Sequence, residues 1–100
     1  MNEISVTELK QLIDSKAEFQ LIDVREEHEF DEANLNGKLI PMGEVIDRAN
    51  EISKEKKVVV HCRSGKRSAT VIKALESQFG YTNLYNLKGG ILAYIEEVGL

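Results

Sequence analysis

The sequence predicts a three-layer α/β domain, in which helices pack on both faces of a central β-sheet. Segments with the apolar pattern of strands alternate with helical patterns along the 100-residue chain, which is typical of this class. The run KVVVHC (57–62) is unbroken and rich in β-branched valine, as expected for a parallel strand buried on both faces. The chain length suits one hydrophobic core, so we expect residues 1–100 to form a single domain.

The other predicted strands are short. FQLIDV (19–24) is a compact apolar run. KLIPM (38–42) is also apolar, and Pro41 favours a place at the edge of the sheet because proline has no N–H to donate. EISV (3–6) is predicted as the first strand and NLYNL (83–87) as the last.

The helices are predicted from apolar residues spaced three and four apart. ELKQLIDS (8–15) follows Thr7, which is predicted as the N-cap. EVIDRANEIS (44–53) places four apolar residues on one helical face: Val45, Ile46, Ala49 and Ile52. SATVIKALESQF (68–79) is predicted as a helix with Val71, Ile72, Leu75 and Phe79 on one face. Gly80 is predicted to end it.

Two further segments complete the pattern. GILAYIEEVG (90–99) is predicted as the closing helix. REEHEFDEA (25–33) is polar and is predicted as a short helix or turn with Phe30 facing inward. Sites in open parallel sheets lie beyond the carboxyl ends of the strands, so the end of KVVVHC is the first place to look for function.

Composition excludes several functional classes. The net charge of −4 disfavours a nucleic-acid-binding module, which would have a basic surplus. No apolar run approaches the roughly 20 residues that a bilayer span requires, and MNEISVTELK has no signal-peptide pattern. A single cysteine cannot form an internal disulfide, which agrees with a reducing compartment. We therefore expect a cytoplasmic protein that binds neither nucleic acid nor membrane.

That cysteine, Cys62, is the candidate nucleophile. It lies at the end of the most buried predicted strand, and a helix is predicted to begin near Ser68. A short loop entering a helix directs unpaired backbone N–H groups into a concavity, and Gly65 permits the backbone conformation that such a cradle needs. These groups favour the thiolate, so we expect a thiol pKa below about 8.5, in the range of about 3.5–7.5.

The residues around Cys62 form the candidate substrate-binding loop. Its members are Arg63, Ser64, Gly65, Lys66 and Arg67. An anionic substrate would be held by the loop amides and by those cations that face inward, for which Arg63 and Arg67 are favoured over Lys66. The alternative is an inert cysteine that packs as a small hydrophobe, with the cations facing water.

The two histidines are weaker candidates. Neighbours in a strand point to opposite faces of the sheet, so His61 is predicted to lie on the other side from Cys62. His28 lies among acidic residues on a predicted surface turn. One cysteine and two scattered histidines do not form a zinc ligand set, and no metal or other cofactor is expected.

With these motifs in order, the sequence resembles the single-domain rhodanese family of sulfurtransferases. LIDVRE (21–26) is similar to the family's Asp-x-Arg strand end, and REEHEF to the polar turn after it. VVVHCRSGKRS (58–68) resembles the active-site strand and six-residue loop from Cys62 to Arg67. LYNLKGGILAY (84–94) resembles the closing signature, with Tyr94 where tryptophan is usual. The resemblance implies a mostly parallel five-stranded sheet with helices on both faces.

One segment departs from the family pattern. Many members carry Gly-His-Ile-Pro-Gly-Ala after the polar turn, whereas this chain has ANLNGKLIPM (33–42). It keeps Gly37 and the later Ile-Pro, lacks the histidine and the first proline, and is one residue short before Ile40. The contacts of this segment are therefore not carried over from the family.

The resemblance implies a double-displacement sulfur transfer. Cys62 thiolate would take the outer sulfur of a small anionic donor such as thiosulfate and become a persulfide. Cyanide, a small thiol or a protein acceptor would then remove that sulfur. Arg63 and Arg67 would steer the donor and stabilise the leaving sulfite. Asp23 and Arg25 would form an ion pair that shapes the site wall, where Arg25 could also contact the substrate, or that serves structure alone.

Two other functions remain open at this point. Cysteine phosphatases and arsenate reductases use a similar cradle, but with a loop one residue longer than the four residues between Cys62 and Arg67. The shorter loop suits a sulfur adduct better than a tetrahedral phosphate. The second alternative is a persulfide carrier or a regulatory binding module with little turnover, and the presence of Cys62 disfavours a binding module without chemistry.

Overall fold

A computed structural model describes all 100 residues and shows the predicted α/β architecture. The strands are β1 (Asn2–Ile4), β2 (Phe19–Asp23), β3 (Lys38–Leu39), β4 (Lys57–His61) and β5 (Leu84–Leu87). The α-helices are α1 (Val6–Asp14), α2 (Glu27–Glu32), α3 (Lys66–Phe79) and α4 (Gly90–Glu97). No helix combines the length and the apolar character that crossing a membrane demands.

The five strands form one sheet in the order β1-β5-β4-β2-β3. Every pairing is parallel, and β4 lies at the centre with Val60 opposite Ile22 of β2 and Asn86 of β5. The sheet is therefore wholly parallel, where the resemblance implied a mostly parallel one. As predicted, the segment with Pro41 leads from an edge strand.

Side chains of β4 alternate between two hydrophobic cores. Val58, Val60 and Cys62 belong to the core beneath α3, whereas Val59 belongs to the core that α1 and α4 cover. All three valines are fully buried, which confirms the prediction of a strand covered on both faces. This alternation fixes the side of the sheet on which Cys62 lies.

The first helix begins earlier than predicted. Ser5, not Thr7, is its N-cap, because the Ser5 hydroxyl accepts from the Glu8 amide at 3.1 Å and the Glu8 carboxylate accepts from the Ser5 amide at 3.1 Å. This reciprocal capping box satisfies two amides that otherwise have no helical partner. Thr7 lies inside the first turn, and β1 ends at Ile4 rather than at residue 6.

The predicted helix over 44–53 was wrong. Two short 3₁₀ turns, Met42–Glu44 and Ala49–Glu51, occupy this region, and Ile46 is 41% exposed. The Tyr81 hydroxyl contacts both the Ala49 and Ile52 carbonyl oxygens at 2.8 Å. Tyr81 thus satisfies two carbonyl groups that a continuous helix would otherwise have to satisfy. Val45, Ala49 and Ile52 are nevertheless buried.

Three other boundaries differ in smaller ways. β3 is confined to Lys38–Leu39, although the Ile40 amide still donates to the Asp23 carbonyl at 2.9 Å. Phe79, the last residue of α3, is 38% exposed, so it does not share the burial of Val71, Ile72 and Leu75. The segment 25–33 contains the short helix α2, with Phe30 half-buried.

Candidate active site

Cys62 lies immediately after β4, at the carboxyl edge of the sheet, where the chain turns into α3. The helix begins at Lys66, two residues before the predicted start, so the connecting loop is only Arg63–Gly65. Gly65 adopts a φ of +106°, a left-handed conformation that favours glycine. The loop therefore doubles back over the sulfur before the helix begins.

Two polar groups, one in the loop and one in the first turn of α3, lie within hydrogen-bonding distance of the sulfur. The Gly65 amide donates to Cys62 Sγ at 3.1 Å, and Ser68 Oγ lies 3.4 Å from it. Cys62 is only 1% exposed. Cys62 is thus buried in the core beneath α3, as a packing cysteine would be, but it also accepts a hydrogen bond from the Gly65 amide, which favours the candidate nucleophile.

These contacts lower the pKa of the Cys62 thiol below its ordinary value. Burial is the largest single influence and acts in the opposite direction. Hydrogen bonds from the backbone amides of Ser68, Gly65 and Ser64 oppose it, as does the Ser68 hydroxyl when its proton is directed to the sulfur and not to Asn86, and together they outweigh burial. The site therefore favours the thiolate although Cys62 is almost completely shielded from water.

Ser68 and Asn86 belong to the site, although they were not among the predicted site residues. Ser68 Oγ donates to Asn86 Oδ1 at 2.5 Å, and Asn86 Nδ2 donates to the Gly65 carbonyl at 3.1 Å. Asn86 is 4% exposed at an inward position of β5. A buried amide in an otherwise apolar strand was the available signal, since buried polar groups need partners.

Ser68→Ala is expected to raise the thiol pKa, because the Ser68 hydroxyl is the largest of the causes that lower it. The rate of iodoacetamide alkylation as a function of pH measures this value. Thr70→Ala removes an exposed hydroxyl from the same helix and is the matched control. An unchanged titration midpoint in Ser68→Ala would contradict the assigned role of its hydroxyl.

The loop cations separate into two groups. Arg67 is bound by Glu29 of α2, with Nη1 to Oε1 at 2.7 Å and Nη2 to Oε2 at 2.9 Å. Arg63 and Lys66 are exposed and have no ion-pair partner within 4.0 Å. Arg67, one of the two cations favoured from the sequence, is therefore already neutralised by a carboxylate.

Asp23 and Arg25 form the ion pair that the sequence predicted. Arg25 Nη2 donates to Asp23 Oδ2 at 2.8 Å, and both side chains are at least 95% buried. Arg25 also donates to the backbone carbonyls of Glu29 at 3.3 Å and Ala33 at 2.8 Å. The pair fastens α2 to the end of β2 and so places Glu29 opposite Arg67.

His61 packs on the opposite side of the sheet from Cys62, as predicted. It is fully buried, with Nε2 3.6 Å from Asp23 Oδ2 and Nδ1 3.3 Å from the Cys62 carbonyl oxygen. Burial is the main cause that lowers its pKa, which favours the neutral ring. His61 contacts the backbone of Cys62 and not its sulfur, so it is not placed to act as its base.

Helix α4 is joined directly to the backbone of the active-site loop. The Ile91 amide donates to the Cys62 carbonyl at 3.0 Å, and the Leu92 amide donates to the Arg63 carbonyl at 3.1 Å. A Cβ at Gly90 would lie 2.3 Å from the Arg63 carbonyl oxygen. The second glycine of the closing motif is therefore required for this close approach.

A pocket of about 410 Å³ opens beside the loop, between α2 and α4. Arg63 and His28 line it together with three aliphatic residues of α4: Ile91, Leu92 and Ile95. His28 is exposed, as predicted for a surface turn. The lining also includes Glu29 and Glu32, so the pocket combines one unpaired cation, Arg63, with two carboxylates and an apolar wall.

Comparisons with known proteins match this arrangement. A sequence profile described as the rhodanese-like domain matches residues 5–97. A sulfurtransferase of Allochromatium vinosum is 36% identical over 95 residues, which are 94% of this chain and 88% of that protein. The crystal structure of a rhodanese-like domain protein from Staphylococcus aureus has a TM-score of 0.85 at 33% identity, covering 94% of this chain and 91% of that one.

One relative is considerably longer than this chain. A Bacillus subtilis protein whose name describes a sulfur carrier is 36% identical over 90 residues. These are 89% of this chain but 48% of that relative, so the chain spans about half of its length.

Proposed function

Since this chain belongs to the rhodanese-like family, we propose that it is a sulfurtransferase that works through a persulfide on Cys62. Relatives named sulfurtransferase or sulfur carrier support sulfur transfer in general. The observation that carries the finer proposal is the Gly65 amide, which donates to Cys62 Sγ at 3.1 Å, with the backbone amides of Ser64 and Ser68 also favouring the thiolate. These groups stabilise an anionic sulfur in a buried place.

The first half-reaction loads the cysteine. Cys62 thiolate attacks the outer sulfur of a donor such as thiosulfate, an Sγ–S bond forms, and the donor's S–S bond breaks. The electron pair of that bond leaves with sulfite, so three negative charges are present before and after the step. The exposed cations Arg63 and Lys66 are the side chains available to a small anionic donor at the loop.

The second half-reaction removes the transferred sulfur from Cys62. An acceptor nucleophile, either cyanide or a thiol, attacks the outer sulfur of the persulfide and restores the Cys62 thiolate. The same donors that stabilise the thiolate make it a better leaving group in this step. Asp23 and Arg25 support the cradle from the neighbouring strand by holding α2 in place.

A persulfide carrier is the second candidate, and the longer relative named for sulfur carriage favours it. A carrier would complete the first half-reaction and hand its sulfur to a protein acceptor. It would show little turnover with small acceptors. In both candidates residues 1–100 act as one domain.

The test is to incubate the protein with thiosulfate and to measure its intact mass. We expect wild-type protein to gain one sulfur atom that dithiothreitol removes, and Cys62→Ser to gain none. Thr70→Ala, which removes an exposed hydroxyl of α3 outside the loop, is the control for non-specific effects of a substitution. Sulfur that is retained by Cys62→Ser would contradict the persulfide proposal.

A further inference from the structure

We propose that Glu29 is a specificity-determining residue, which withholds Arg67 from the donor and so favours singly charged organic sulfur donors over thiosulfate. This inference rests on the sulfurtransferase function proposed above. Both guanidinium Nη atoms of Arg67 are engaged by the two carboxylate oxygens of Glu29, at 2.7 Å and 2.9 Å. A bidentate pair of this kind leaves the cation little capacity for a second anion.

Glu29 is held in place from several directions. Its carboxylate accepts from the Glu26 amide at 3.1 Å, and its carbonyl accepts from Arg25 Nη1 at 3.3 Å. The hydrogen bonds from Arg67 are the largest cause that lowers the pKa of Glu29 to about 2. The carboxylate is therefore ionised at neutral pH, and the pair with Arg67 persists there.

The pairing reduces the positive charge available at the site. Arg25 borders the pocket, but it is 4% exposed and its charge is paired with Asp23. The two other loop cations, Arg63 and Lys66, are exposed and unpaired. The site thus presents fewer free cations than its sequence suggests.

Donor charge determines how much this reduction matters. Attack of a thiolate on thiosulfate brings three negative charges together, whereas attack on a singly charged donor brings two. Repulsion between like charges grows as water is excluded, and Cys62 is 1% exposed. A site with paired cations therefore penalises the dianion more than the monoanion.

The neighbouring pocket favours an organic group on the donor. Leu92 and Ile95 are 43% and 42% exposed and line the pocket of about 410 Å³ beside the loop. A backbone hydrogen bond joins Leu92 to Arg63, a second joins Ile91 to Cys62, and together they hold this apolar wall against the active-site loop. An apolar group of a ligand that covers these side chains removes apolar surface from water, which is favourable. Thiosulfate has no such group.

The experiment compares two donors with the same reacting bond. Thiosulfate is a dianion, and benzenethiosulfonate is a monoanion with a phenyl group. In each case Sγ forms a bond to the outer sulfur, and the electron pair of the broken S–S bond leaves with sulfite or benzenesulfinate. The second-order rate constant of sulfur loading, followed by intact mass, is measured for each donor and needs no acceptor.

Glu29→Gln is expected to raise the loading rate from thiosulfate about tenfold, because a freed cation steers and stabilises the dianion. The rate from benzenethiosulfonate should change by less than about threefold, since fewer charges meet in that step. Glu27→Gln removes the same charge from an exposed position of the same helix and is the matched control. The double variant Glu29→Gln/Arg67→Gln should load sulfur from thiosulfate no faster than wild type, because the freed cation is then absent.

The outcomes separate this inference from the proposed function. A thiosulfate-to-benzenethiosulfonate rate ratio that is the same in Glu29→Gln and wild type overturns the role of Glu29 and leaves the persulfide function standing. An equal gain in Glu27→Gln also overturns it, because overall charge would then explain the effect. Loading from neither donor overturns both. Thermal unfolding checks that Glu29→Gln is folded, and Glu29→Met gives the same comparison if it is not.

Discussion

Cys62→Ala is expected to reduce thiosulfate:cyanide sulfur transfer by about a thousandfold or more, because loss of a covalent nucleophile leaves only binding and electrostatic effects. Cys62 is the only cysteine in the chain, so no second thiol can substitute for it. Thiocyanate formation, measured as the coloured ferric complex, gives the rate. Equal rates in wild type and Cys62→Ala would remove Cys62 from the mechanism.

The same assay distinguishes the two candidate functions. A wild-type protein that gains one sulfur atom yet forms little thiocyanate would be a carrier. A wild-type protein that turns over many times would be a sulfurtransferase toward small acceptors. Cys62→Ala must be shown to unfold at a similar temperature, since Cys62 belongs to the core beneath α3.

Gly90→Ala is expected to lower the free energy of unfolding by about 3–5 kcal/mol, through backbone collision and a left-handed conformation. The new Cβ would lie 2.3 Å from the Arg63 carbonyl oxygen and 2.7 Å from that of Cys62, and φ is +61°. These are backbone atoms that cannot rotate away. Urea unfolding measures the change, and sulfur loading should be lost with it.

Gly80→Ala is the matched control for this change. Gly80 has a similar φ of +70°, but a Cβ there would meet nothing within 4 Å. It should therefore show only the conformational cost, about 1 kcal/mol. Equal destabilisation by the two substitutions would contradict the steric explanation for Gly90.

The sequence predicted the sheet well because its strongest signals are local. KVVVHC could be assigned because an unbroken run of valines suits one environment, a strand covered on both faces. The position of Cys62 followed from this strand and from the rule that sites lie at carboxyl ends. The helix prediction for 44–53 was wrong because the local pattern does not show the hydroxyl of Tyr81, distant in sequence, which hydrogen-bonds to carbonyl groups of this segment.

The electrostatics of the site were harder to predict for a similar reason. The sequence shows three cations around Cys62, but it does not show that Glu29, 38 residues away from Arg67, binds one of them. Asn86 likewise belongs to another strand and reaches both Gly65 and Ser68. Which charges are paired depends on tertiary contacts, whereas residue types and spacing depend only on the chain.

The attachment of α4 to the active-site loop has a consequence for biosynthesis. The amides of Ile91 and Leu92, close to the carboxyl end of these 100 residues, hold the carbonyls that flank the nucleophile. A ribosome-bound chain that ends before this helix would lack both hydrogen bonds. The ordering of the loop around the sulfhydryl would thus wait until synthesis has passed Leu92, well after Cys62 itself has been made.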